Sequence, residues 1–323
     1  MKPDNLLASV PVLDAHIDTL TKMLYFNEGK TVYGIPGGHV NLDRIRKGGV
    51  NVIFQVHWLR DRNSFYSPLQ ECFKQYRLML RTVERYADRL AVTTSSREIT
   101  AAHKAGKVAL VPVIENGVVL EGNIDNLEIL HRLGFREIGL VWQGRNEIGN
   151  GNFEKNPGVG GLSDFGIRVV REMNRLRMLV DVSHLNEDGF WDVAEHCEGP
   201  FIATHSNARE LCRNNRNLWD DQIVALAEAG GVVGMNFAPH FVDDDPKKAS
   251  LSRVVDHVCH IANLVGARHI GIGTDYDGTR RRRGPAALRG VPETGSRVAE
   301  AGPPTGDHGI VGELLRVFKQ VCG

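Results

Sequence analysis

Short apolar, β-branched runs recur along the chain, and amphipathic stretches separate them. Eight runs read as strands: Val10–His16, Val50–Val56, Val108–Glu115, Glu137–Trp142, Met178–His184, Pro200–His205, Gly231–Phe237 and His269–Asp275. Runs such as Ala109-Leu-Val-Pro-Val-Ile114 are apolar without alternation, as in strands covered on both faces of a parallel sheet. Helical periodicity falls between them, at Leu69–Arg89, Ile124–Leu133, Asp164–Leu176, Glu187–Cys197, Asp221–Ala229 and Leu251–Val265. Eight strands alternating with helices predict an α/β chain closed into a (β/α)8, TIM-type barrel. The rival, an open doubly wound sheet, calls for a glycine-rich phosphate loop after its first strand. Asp14-Ala-His-Ile-Asp18 offers none.

Residues 1–323 read as a single catalytic domain, because no Pro/Ser/Gly linker and no fixed-period repeat divides the chain. Hydrophobic residues make up 42% and charged residues 24%, the balance of a folded globular chain. The 39 basic and 39 acidic residues cancel, so no electrostatic reason exists to expect nucleic acid or an anionic membrane as partner. The apolar runs fall far short of the roughly 20 residues that span a bilayer, and the N-terminus carries no apolar signal core. Cys72, Cys197, Cys212, Cys259 and Cys322 are scattered and never form a C-x-x-C pair. That argues against a disulfide framework or a cysteine-built zinc site, and for a reducing compartment. The expectation is a soluble cytoplasmic enzyme, and a homodimer is compatible with this composition.

The segment Thr279–His308 breaks the pattern. It holds six Arg, five Gly and four Pro, with only Leu288, Val291 and Val298 as large apolar residues. Ile310–Val321 then reads as an amphipathic terminal helix.

Catalytic groups of a (β/α)8 barrel gather at the C-terminal ends of the strands. In this chain those ends carry His16-Ile-Asp18, Glu115, Asp181-Val-Ser-His184, His205 and Thr274-Asp275-Tyr-Asp277. These are ligand types for a hard or borderline metal ion, far apart in sequence and brought together only by barrel closure. His16 and Asp18 are two apart on a strand, so both face one side. Glu115 ends a wholly apolar strand, where an unpaired carboxylate is costly to bury. A central carboxylate, two histidines and a His-Asp pair match the donors of a dinuclear site. Asp181 and Asp277 read as orienting groups. His103, His131, His196, His257 and His260 lie in helical stretches and read as structural. Arg216, in the loop after the sixth strand, is either a solvating charge or a ligand group.

At these residues the chain resembles the membrane (renal) dipeptidase family, the zinc dipeptidases of peptidase family M19. Asp14-Ala-His-Ile-Asp18, Ile114-Glu115-Asn-Gly117, Leu179-Val-Asp-Val-Ser-His184 and Thr204-His-Ser-Asn-Ala-Arg209 are similar to its motifs. So are Arg216-Asn-Leu-Trp-Asp-Asp221 and Gly271-Ile-Gly-Thr-Asp-Tyr-Asp-Gly278. The resemblance implies two zinc ions: His16 and Asp18 hold one, His184 and His205 the other, and Glu115 bridges. It further implies that Arg216 binds the free carboxylate of a small dipeptide, that Asp275 handles protons, and that a C-terminal D-residue is tolerated. The implied reaction is peptide hydrolysis by a metal-bridging hydroxide.

Two departures stand out. Trp142 falls where mammalian relatives place a substrate-contacting histidine, so a substrate contact there comes from an indole. The Thr279–His308 segment also replaces the family's usual continuation, as a divergent insertion or two compensating frame shifts would. The competing readings are another barrel amidohydrolase, such as a cyclic amidase or deaminase, and an inactive barrel that only binds metal or ligand. The first usually carries His-x-His on its first strand, where this chain has His16-Ile-Asp18.

Overall fold

The computed structural model describes residues 11–26, 38–61, 66–155, 160–278 and 312–323. The atypical 279–308 segment lies outside these residues. The described residues form nine parallel strands: β1 Val12–Ile17, β2 Val50–Trp58, β3 Leu90–Val92, β4 Val108–Glu115, β5 Glu137–Gly139, β6 Leu179–Asp181, β7 Ile202–Ser206, β8 Val232–Met235 and β9 Ile270–Ile272. Eight of them close a ring. β2 pairs with β4 from Val52↔Ala109 to Trp58↔Glu115, while β9 returns to β1 at Asp14↔Ile272. β3 stands outside the ring and pairs with the start of β4, from Leu90↔Val108 to Val92↔Leu110. Higher up, the same edge of β4 takes β5, at Ile114↔Ile138 and Glu115↔Gly139. The expected (β/α)8 barrel is therefore present, with one short strand that apolar patterning did not announce.

All eight ring strands coincide with expected ones. Two helices match their expected bounds, Asp164–Leu176 and Leu251–Val265. Each starts at a serine, Ser163 or Ser250, whose side chain accepts the backbone N–H three residues on. Thr19–Phe26, Leu42–Lys47 and Ser96–Lys104 are helices that were not expected. No described helix is long and apolar enough to cross a membrane. All five cysteines are free.

The barrel interior is packed. Leu13 and Ala15 of β1, Val52, Phe54 and Val56 of β2, and Ala109, Val111 and Val113 of β4 form one buried cluster with Leu179, Ile202 and Val232. The terminal helix Glu313–Cys322 adds Leu314, Val317 and Phe318 to it, with Phe318 edge-on to Phe54 at 5.8 Å. The amphipathic face expected at the C-terminus thus closes the barrel, burying apolar surface at roughly 25 cal/mol per Å².

Alternation sets which side chains point inward, and it is broken beside the site. Leu13, Ala15 and Ile202 face the inner cluster, so unbroken alternation would turn His16 and His205 outward. A register shift lies between Asp14 and Ile17 in β1, and another between Ala203 and Ser206 in β7. Each shift contains one of the histidines and re-aims it, a common use of irregularity beside a site. Glycine serves the same region. A Cβ on Gly234 or Gly273 would overlap the Thr204 carbonyl, so only glycine lets these backbones pack around that residue.

Candidate metal centre

The structure brings His16, Asp18, Glu115, His184, His205 and Asp275 into one place at the C-terminal mouth of the barrel. Glu115 is at its centre. Its Oε2 lies 3.5 Å from His16 Nε2, and its Oε1 lies 2.7 Å from His184 Nε2 and 3.7 Å from His205 Nε2. One carboxylate therefore divides its two oxygens between His16 on one side and His184 with His205 on the other. Asp18 Oδ2 is 3.3 Å from His16 Nε2, and the Nε2 atoms of His184 and His205 are 3.1 Å apart. The rings of His16 and His205 stack with centroids 3.6 Å apart. Two overlapping donor sets have all their atoms within 4.8 Å of one another: His16, Glu115 and His205, and His16, Asp18 and Asp275.

The supporting shell repeats one device twice. Asp14 Oδ1 accepts the backbone N–H groups of His16 and Thr274, at 3.1 and 3.0 Å, and its Oδ2 accepts the Thr274 hydroxyl at 2.7 Å. Asp181 Oδ1 accepts from Ser183 N and Thr204 N, at 3.0 and 2.9 Å, and its Oδ2 accepts the Thr204 hydroxyl at 2.7 Å. Each aspartate stitches its strand to the threonine that precedes a site residue, Asp275 or His205. The orienting role expected of Asp181 has this geometry. Asp277 is instead enclosed by Lys22 Nζ at 2.9 Å, Thr19 Oγ1 at 2.9 Å and His39 N at 2.7 Å.

Asp275 and Asp277 both adopt left-handed backbone, with φ of 58° and 70°. Such strain persists only where surroundings hold it, and it gathers at functional sites. Asp275 N donates to the His16 carbonyl at 3.0 Å, while Asn236 Nδ2 reaches Asp275 Oδ2 at 3.2 Å. Asn116, directly after Glu115, has φ 90° and satisfies its whole amide. It donates to Leu59 O and Asp61 Oδ1 and accepts from Val118 N and Asn146 Nδ2. Asn236, Asn116 and Asp61 were not singled out in the sequence. The threonine preceding a site residue at two strand ends was a legible signal; Asn236 carried none.

Arg216 is 2% exposed, yet its guanidinium has little company. Nη2 donates to the His205 carbonyl at 3.2 Å, and Nε and Nη1 are buried without a partner. Phe241 lies 5.5 Å beneath it. Trp142 packs edge-on to Trp58 at 4.8 Å and stands 6.4 Å from the His184 ring. The helical histidines are structural as expected where the structure resolves their roles. Buried His257 lies 3.2 Å from Ala208 N and 3.0 Å from Val242 O, and His260 pairs with Asp220 at 2.7 Å.

Burial disfavours charge at every one of these groups, and neighbours decide the outcome. At His16 the Glu115 and Asp18 carboxylates overcome burial and raise the pKa well above its ordinary value. Burial, with the charge of Arg216, lowers His184 to about 4, and burial with the charges of His16 and Arg216 holds His205 well below its ordinary value. Glu115 is held well below the usual carboxylate range, because His16 and His184 outweigh its burial. Asp275 is pushed up to about 7 by burial and by the charge of Asp18. Arg216 is lowered to about 10 by burial.

A parallel barrel whose mouth gathers three imidazoles and three carboxylates defines a metal-dependent hydrolase of the (β/α)8 class. The model of the membrane dipeptidase family, peptidase family M19, matches residues 2–292, and the chain belongs to that family of metallo-dipeptidases. It is 36% identical over 218 residues to an uncharacterized protein of Klebsiella pneumoniae from the pqqA 5′ region, covering 65% of this chain and 80% of that one. It is 30% identical over 338 residues to the dipeptidase aclJ of Aspergillus oryzae, covering 98% and 80%. A metallopeptidase of Rhodobacter sphaeroides superposes with a TM-score of 0.81 at 26% identity, covering 97% of this chain and 96% of that one. That relative was solved with a phosphinate mimic of the dipeptide L-Ala-D-Ala.

Proposed function

We propose that this metallo-dipeptidase uses two zinc ions to hydrolyse dipeptides with a free C-terminal carboxylate, and that it accepts a D-residue at that end. His16 and Asp18 would hold one ion, His184 and His205 the other, with Glu115 between them. The donor chemistry fits. Thr204 Oγ1 donates to Asp181, so it accepts a hydrogen bond from His205 Nδ1–H at 2.7 Å, which leaves the Nε2 lone pair turned toward Glu115. A ligating imidazole must be neutral, so a cation arriving here displaces the proton that the carboxylates favour on His16. Zinc held by these residues would supply Lewis-acid chemistry, bringing the pKa of water down to about 7 and polarising a scissile carbonyl.

The chain's own residues account for the rest. Arg216 carries the reading, because a buried guanidinium with two unpartnered nitrogens beside such a centre is incomplete until an anion reaches it. A carboxylate there would gain a charge-assisted contact worth roughly 1.5–3 kcal/mol. The phosphinate in the Rhodobacter relative supports a D-configured C-terminal residue. Asp275, poised near neutrality and held by Asn236, would take the proton of the attacking water and return it to the departing amine. Trp142 would offer its indole N–H beside His184 in place of an imidazole.

The test measures metal content and turnover together. Purified protein should carry about two zinc per chain, lose activity to a chelator and regain it with zinc. It should cleave L-Ala-D-Ala and spare C-terminally amidated dipeptides. Full activity without metal overturns the reading, and equal rates on acids and amides overturn its carboxylate half.

A further inference from the structure

Arg216 makes one hydrogen bond to protein with its own head group, to His205 O, so its position comes mainly from its backbone. That backbone is gripped from both sides. Arg209 donates from Nε to the carbonyl of Asn217 at 2.8 Å and from Nη2 to the carbonyl of Asn215 at 2.9 Å. These are the two residues flanking Arg216. The third arm, Nη1, pairs with the Glu187 carboxylate. The flat face of the Arg209 guanidinium lies 4.6 Å from the Trp219 ring, and Trp219 Nε1 donates to the same Glu187 oxygen at 2.9 Å. Arg209 is buried, whereas Glu187 and Trp219 reach the surface.

Only a planar fork can hold two carbonyls and a carboxylate while stacking on an indole, so lysine cannot substitute. We propose that Arg209 is a positioning residue that presents Arg216 to the substrate's carboxylate and is itself held by Glu187 and Trp219. This rests on reading Arg216 as the carboxylate's partner. The loop has further anchors: Arg216 N meets Asn214 Oδ1, Asn152 Nδ2 shares the Asn215 carbonyl at 3.1 Å, and Asn217 Nδ2 meets Cys212 O and Phe241 O. Loss of Arg209 therefore removes a donor from the Asn217 carbonyl and one of the two on the Asn215 carbonyl, loosening the chain on both sides of Arg216 while the loop keeps its place.

The experiment uses a reduced-peptide-bond dipeptide analogue in two forms, free carboxylate and carboxamide, as inhibitors of the metal-loaded enzyme. The ratio of their inhibition constants reports recognition of the carboxylate and cancels general damage to the site. The parent should prefer the carboxylate, and Arg216→Met should abolish that preference. Arg209→Met, which keeps much of the side chain's bulk, should cut it about 10-fold. Glu187→Gln, an accessible change that keeps an acceptor for Trp219, should cut it about 3-fold and supplies the answer if Arg209→Met does not fold. A parent-like ratio in the folded variants overturns the brace alone. No preference in the parent removes the carboxylate reading and the brace with it.

Discussion

Thr204 Oγ1 stands 2.7 Å from His205 Nδ1 and 2.7 Å from Asp181 Oδ2, so one hydroxyl links a buried carboxylate to the imidazole. The hydroxyl has one proton and gives it to Asp181, which fixes the tautomer of His205. Removing the link frees the ring to rotate and to carry its proton on the wrong nitrogen. Thr204→Val should weaken metal binding by roughly 10- to 100-fold, the usual effect of losing a group that orients a ligand. Competition against a chelator of known affinity measures it, and Thr204→Ser should restore most of it. Parent-like affinity in the valine variant would reduce the hydroxyl to a packing role.

The barrel was legible because β4 and its neighbours are apolar on both faces, which few folds other than a covered parallel sheet require. The site was legible because chemistry collects at strand ends. Strand alternation alone, however, would have turned His16 and His205 away from the interior, and the register shifts that re-aim them leave no periodic trace. β3 is three residues long, and the helix Leu42–Lys47 is six, too short for either period to show. Asn236 and Asp61 were invisible for another reason. Their value comes from partners far away in sequence, Asp275 and Asn116, that only closure of the barrel supplies.

His57 makes stability depend on acidity. It is fully buried, with Nδ1 3.0 Å from both the Gln55 and Val113 carbonyls and Nε2 without a partner. Burial lowers its pKa to about 4, against an ordinary value of 6.5. The unfolded chain therefore binds the proton first on acidification, and stability falls as pH drops from about 6.5 to about 4. The full effect is about 3 kcal/mol. Urea midpoints across this range should show a shallower pH slope for His57→Gln than for the parent. Equal slopes would mean that other groups carry the acid sensitivity.

Trp142 separates donation from packing. Its ring lies edge-on to Trp58 at 4.8 Å, a contact that phenylalanine can keep. Trp142→Phe removes the indole N–H and trims the bicyclic ring to a single one. If that group polarises the scissile carbonyl, kcat should fall about 10-fold with little change in KM, the scale of one neutral hydrogen bond. A rise in KM with kcat unchanged would instead make the indole a wall of the substrate pocket.

Asp275 and Asp277 share a left-handed turn and the same chemistry, yet their surroundings differ. Asp277 is fully engaged with Lys22, Thr19 and His39, an arrangement that ties the turn to the helix Thr19–Phe26. Asp275 has one side-chain partner, Asn236, and lies within 4.8 Å of donor atoms on His16 and Asp18. Burial and the charge of Asp18 bring it to about 7, where a carboxylate can both take and return a proton at neutral pH. Asp275→Asn keeps the shape and the bond to Asn236 but removes the base. It should retain metal and bind dipeptide while losing kcat by roughly 10²- to 10⁴-fold. Asp277→Asn should keep most of its turnover and lose stability, by about 2 kcal/mol for the charged contact with Lys22. Metal content, kcat and the urea midpoint, measured on both variants, decide the assignment. Near-normal turnover at 275 with collapse at 277 would reverse it.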